Sequence, residues 1–144
     1  MHDLLCGIDP DSKESGLAVW NVKRQEFDTI TQLPFWDLID YIETLRENYK
    51  ICIYVEASWQ IKKSNWHSKR GQSKYVGEKI AKCVGSNHQV GRLLVEYCLS
   101  SYLDCVEVLP KGKLDAKSFK QLTGVTTRTN SEKRDAAYLV YGIK

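Results

Sequence analysis

Apolar residues along this chain come first in short strand-length runs and then at helical spacing. Leu4–Asp9 is apolar except at its end and reads as a short buried strand. Ser15–Val22 and Glu26–Gln32 read as two more strands, with Lys23-Arg24-Gln25 as the turn between them, so the first third of the chain predicts a three-stranded antiparallel meander. Pro34 then opens a helix to about Asn48, in which Phe35, Leu38, Ile39, Ile42 and Leu45 share one face. Ile51–Glu56 is apolar at every position but the last, as expected of a central strand covered on both faces. Residues 58–74 have no period and form a long polar loop, a feature that in small domains is usually functional or mobile.

Helical spacing returns from about Tyr75 to Leu103, with Gly85-Ser86-Asn87 as a break or kink. Val106–Leu109 is another strand. Asp115 caps a helix over Ala116–Thr123 that Gly124 ends, and Asn130 or Ser131 caps the last helix. This order implies an α/β protein with a mixed sheet and helices on its faces. No repeat, low-complexity tract or Pro/Gly-rich linker divides the 144 residues, so residues 1–144 read as one domain.

Composition narrows the classes. Hydrophobic residues make up 42% of the chain, enough for a core. No apolar stretch has the length of a membrane span, and Met1-His2-Asp3 does not open a signal peptide, so a cytoplasmic location is expected. The five cysteines are odd in number, lie in apolar contexts and include no CxxC pair; they read as buried small hydrophobes rather than disulfides or zinc ligands.

Charge is unevenly spread beneath a net +3. Residues 1–57 carry five Lys/Arg against eleven Asp/Glu, whereas residues 58–92 carry eight Lys/Arg against Glu78 alone. That basic segment also holds Trp59, Trp66, His67 and Tyr75, a mixture of cations and aromatics suited to a nucleic acid. His67 and His88 lack metal-ligand spacing, and Lys79, Lys82 and Arg92 read as solvated helix residues.

Four acids stand out against this background. Asp9 and Glu56 each end an apolar strand, and Glu132 and Asp135 lie three apart at the start of the last helix. Acids are rarely buried unless paired or metal-bound. Taken alone, Asp9 could be a turn cap before Pro10, and Asp135 a charge favoured by the helix dipole. Together, acids on two strands and a helix can hold two divalent ions at a phosphodiester.

The order of elements and acids resembles the ribonuclease H-like fold, and within it the RuvC family of Holliday junction resolvases. Gly7-Ile8-Asp9-Pro10-Asp11-Ser12, with Gly16 on the next strand, resembles that family's opening motif. Val55-Glu56-Ala57-Ser58-Trp59 is similar to its second motif, in which an aromatic three residues after the acid acts as a wedge. Glu132-Lys133-Arg134-Asp135-Ala136-Ala137 resembles its closing acid-x-x-Asp-Ala-Ala motif. Three departures stand out: Asp11 replaces a Gly, Glu132 takes a place commonly held by Asp or His, and Ala57 replaces a polar residue. Asp11 is then either a further acid near the metals or only a turn residue. The departures fit a divergent phage or bacterial member.

The resemblance implies a mixed five-stranded sheet, the antiparallel meander plus two parallel strands, with helices on both faces. It implies a Mg²⁺-dependent endonuclease that resolves four-way junctions in DNA recombination and repair, with Mn²⁺ able to substitute. Asp9, Glu56, Glu132 and Asp135 would hold two ions about 4 Å apart. Trp59, Lys62, Lys63, Trp66, Lys69, Arg70 and Lys74 would contact DNA, and Lys111 or Lys113 would be a phosphate ligand after the strand Val106–Leu109. Symmetric cutting implies a homodimer, expected through residues 75–103 with Ile80, Val84, Val90, Leu93, Leu94 and Tyr97 at the interface. Two other readings use the same residues: a related nuclease acting on RNA/DNA hybrids or other branched DNA, and a non-catalytic nucleic-acid-binding module.

Overall fold

A computed structural model describes residues 1–61 and 74–144, the side chains of 74–76 apart. Strands β1 (Leu4–Asp9), β2 (Ser15–Asn21) and β3 (Glu26–Leu33) precede helix α1 (Phe35–Arg46) and strand β4 (Ile51–Glu56). A 3₁₀ turn over Ser58–Gln60 follows, then α2 (Lys74–Ser100), β5 (Asp104–Val108), α3 (Ala116–Thr123) and α4 (Ser131–Val140). The strands form one mixed sheet in the order β3-β2-β1-β4-β5. β1, β2 and β3 pair antiparallel, whereas β1, β4 and β5 run parallel. The expected meander and two added parallel strands are therefore present.

Side-chain alternation divides the core between the two faces. Leu4, Cys6 and Ile8 of β1 and Ile51, Ile53 and Val55 of β4 pack with Leu38 and Ile42 of α1 and Leu94 and Cys98 of α2. Leu5 of β1 and Cys52 of β4 point the other way, with Trp20 of β2, toward Phe119 of α3 and Ala136, Ala137, Leu139 and Val140 of α4. Caps follow the side-chain chemistry: Asp115 accepts from the Ser118 N–H, Asn130 from the Lys133 N–H, and Gly124 closes α3 at φ 74°. Asn130, rather than Ser131, is thus the cap of α4.

Helix α2 departs from expectation in three ways. It runs unbroken through Gly85-Ser86-Asn87. The Asn87 side chain is engaged outside the helix, accepting from the Ser12 N–H, and the Ser86 hydroxyl donates back to the Lys82 carbonyl one turn earlier, within the helix. α2 stops at Ser100, earlier than the periodicity suggests. Tyr102 takes φ 58°, and the Leu103 N–H returns to the Cys98 carbonyl, a left-handed stop made without glycine. Finally, Leu94 is fully buried and Val90 and Tyr97 are partly buried against the first core, whereas Ile80 and Leu93 are exposed. Cys83 is exposed too, unlike the buried Cys6, Cys52 and Cys98. Among the described residues, no helix is long and apolar enough to cross a membrane.

Candidate metal centre

The alternation that buries Ile8 and Val55 against α2 turns Asp9 and Glu56 to the face of α4. β1 and β4 are parallel with Ile8 beside Val55, so the two acids emerge side by side at the C-terminal ends of two central strands. Asp9 also pairs with Gly16 of β2.

α4 completes the site because the sheet has room for it. A Cβ on Gly7 would overlap the Ala136 carbonyl oxygen, and one on Gly16 would lie 2.7 Å from the Glu132 carbonyl carbon. Two glycines on adjacent strands thus let the helix backbone rest directly on the sheet, with only alanines, Ala136 and Ala137, buried at the next positions. Neither glycine was read from the sequence as a site residue. The signal was available: a glycine inside an apolar strand marks a close approach of backbone.

The result is a cluster in which carboxylate oxygens of Asp9, Glu56 and Asp135 all lie within 4.8 Å of one another. Burial, followed by the facing carboxylates of Glu56 and Asp135, pushes the Asp9 carboxyl up to about 8. Burial and Asp135 also raise Glu56, while a hydrogen bond with Asp9 and the charge of Lys113 act in the opposite direction. Metal-free, the site is thus a crowd of acids that resists full ionisation. Among the described residues the exposed Lys113 ammonium pairs with the cluster, 3.5 Å from the more buried Asp135 carboxylate.

Other expected residues fall elsewhere. Glu132 lies outside the three-acid cluster, and its carboxylate accepts from the Ser131 hydroxyl at 3.1 Å. It still contributes to raising Asp9. Asp11 is a turn residue: its carboxylate accepts from the N–H groups of Lys13 and Glu14. Lys111 lies 5.1 Å from the centre of the Tyr138 ring and donates to the Tyr138 carbonyl, which fastens it to α4. The Trp59 ring is half-buried in a slot made by Gly91 of α2 and Pro10, where a Cβ on Gly91 would overlap the indole. The buried part of the ring packs on the first core. Lys62, Lys63, Trp66, Lys69 and Arg70 lie outside the described residues, as does the side chain of Lys74.

Positive charge is not confined to the segment 58–92. Residues 110–134 carry Lys111, Lys113, Lys117, Lys120, Arg128, Lys133 and Arg134 against Asp115 and Glu132. Arg134 is structural: its guanidinium donates to the carbonyls of Leu114 and Thr129 and joins the two loops that flank α3.

No protein-family model matches the chain. No curated protein matches it either.

Proposed function

We propose that this protein is a Mg²⁺-dependent, structure-selective DNA endonuclease of the ribonuclease H-like fold, resolving four-way junctions. The observation that carries the reading is the convergence of Asp9, Glu56 and Asp135 within 4.8 Å, from two strand ends and a helix. The donor set suits hard divalent cations: every candidate ligand is a carboxylate oxygen, with no thiol or imidazole among the three. Cations bound there would activate a water and offset charge on the leaving oxygen of a phosphodiester.

The chain's own groups have defined parts in this reading. Asp9 and Glu56 are held by paired strands, so their oxygens keep a fixed separation. Asp135 is aimed at them by a helix seated on Gly7 and Gly16. Lys113 stands at the rim, where it can meet an incoming phosphate while it balances Asp135. Glu132, one helical turn before Asp135, can reach the site through a water or a rotamer change. Symmetric cutting of a junction calls for two such sites and therefore a twofold dimer. Of the residues expected at its interface, Ile80 and Leu93 are the large apolar ones left exposed on α2.

The test is cleavage of a synthetic four-way junction beside duplex, flap and RNA/DNA hybrid controls, with Mg²⁺ or with EDTA, by wild type and Asp9→Asn. Mg²⁺-dependent cutting of the junction in preference to the controls, lost in Asp9→Asn, is the expected result. Preferential cutting of the hybrid would replace the substrate assignment. Binding without cutting of any substrate would replace the enzyme by a binding module.

A further inference from the structure

The loop from α3 to α4 does not pack flat on the sheet edge. Between it and β3 runs an open groove of about 570 Å³, with Phe27 and Ile30 on the strand side and Thr126, Thr127, Arg128 and Lys133 on the other. Among the described residues, neither Arg128 nor Lys133 forms an ion pair. The one acid in the groove, Asp28, is already held by the side chains of Arg24 and Asn21. The groove therefore offers two unspent cations and two threonines. The loop behind it is fastened at its α4 end, by Arg134 bonded to Thr129 and by the Asn130 amide bonded to Gln32 of β3.

Its position relative to the acids follows from the register. Gln32 pairs with Gly16, and Gly16 with Asp9, so the end of β3 lies two strands from Asp9. At about 4.8 Å per strand and 3.3 Å per residue, Ile30 and Asp28 are roughly 12–16 Å from Asp9. Lys133 and Asp135 are two residues apart, about 200° around the helix, so they face opposite flanks of α4. The groove is thus separate from the metal centre but on the same face of the sheet.

We propose that this groove binds the sugar–phosphate backbone of a DNA arm, with Arg128 and Lys133 as phosphate ligands, a few nucleotides from the scissile phosphate. The proposal rests on the nuclease reading for its substrate, and it extends the DNA contact to a surface on the far side of α4 from Lys113. Lysine and arginine contacts of this kind set the register of a duplex without reading its sequence.

The experiment measures binding of a labelled four-way junction in EDTA across a salt series, for wild type, Arg128→Ala/Lys133→Ala and Thr127→Glu. Loss of two phosphate contacts should lower the slope of log K against log salt by about 1.8. Thr127→Glu removes no contact within the fold and should weaken binding by setting a negative charge in the groove; melting curves confirm that both variants stay folded. An unchanged slope together with wild-type affinity in Thr127→Glu would overturn the groove and leave the nuclease reading standing wherever wild type still cuts with Mg²⁺. A wild type that binds and never cuts would overturn the nuclease reading alone if the slope still falls in the double variant. No binding by wild type, even at low salt, would overturn both.

Discussion

Gly16 of β2 touches the backbone of Glu132 in α4 so closely that a methyl group on the glycine would lie 2.7 Å from the Glu132 carbonyl carbon. That contact, repeated by Gly7 under Ala136, sets the height of α4 above the sheet and with it the reach of Asp135 toward Asp9. Gly16→Ala cannot be absorbed by a side-chain rotation, because the obstacle is backbone. Overpacking of this kind costs about 1–3 kcal/mol. A melting temperature several degrees lower is expected, together with weaker Mg²⁺ or Mn²⁺ binding by titration calorimetry. Unchanged metal affinity in a destabilised Gly16→Ala would mean that the helix height does not govern the acid cluster.

Asp9→Asn is expected to abolish cleavage and to spare DNA binding. The substitution removes a ligand from the centre of the cluster, and loss of an ion would cost several kcal/mol of transition-state stabilisation. Binding relies on basic residues and should be retained or strengthened as negative charge is removed. Gel cleavage and anisotropy on the same preparation check both halves; wild-type cutting by Asp9→Asn would remove the metal-site assignment.

The metal-free protein should lose stability as pH rises. The Asp9 carboxyl ionises near its ordinary value of 3.8 in the unfolded chain but is pushed up to about 8 in the fold by burial and by Glu56 and Asp135. Between those values the folded state holds a proton that the unfolded state has released, so each step upward in pH favours unfolding. The stability is largest below about pH 4 as far as Asp9 is concerned, and it declines until about pH 8. Melting curves in EDTA at several pH values should show this decline, and Asp9→Asn should flatten it. Mg²⁺ should raise the melting temperature most at the alkaline end, where the carboxylates are ionised and repel one another. A melting temperature in EDTA that is flat or rising over this range would contradict the clustering.

Trp59→Ala should act first on stability. The indole fills a slot against Gly91 and Pro10, and removal of a packed tryptophan costs about 3–5 kcal/mol when burial is complete. With the ring half-buried, a loss of about 2–3 kcal/mol is expected on the same scale. Gly91→Val should destabilise as well, because its side chain would enter the slot. If Trp59→Ala melts like wild type and cuts junctions roughly tenfold to a hundredfold more slowly, the ring acts as a wedge on DNA after all, by the stacking energy of an aromatic on a base.

Much of the architecture could be read without coordinates because it depends on short-range regularities. Strand alternation, the period of α1, the cap Asp115, and Gly124 as a helix stop are written within a few residues of where they act. The strand-end positions of Asp9 and Glu56 were legible for the same reason. Tertiary structure alone decided which acids meet. Asp9 and Asp135 are far apart in sequence, and their approach depends on two glycines that admit a helix backbone to the sheet. Asp135 joins the cluster whereas Glu132, one helical turn earlier, does not, and its carboxylate is turned to the Ser131 hydroxyl instead. Tertiary structure likewise placed Trp59 in a slot, assigned Asp11 to a turn, gave Lys111 to Tyr138, and turned Leu94 and Tyr97 of α2 inward. Each of these outcomes depends on what lies across a contact in space, and local sequence carries no record of that neighbour.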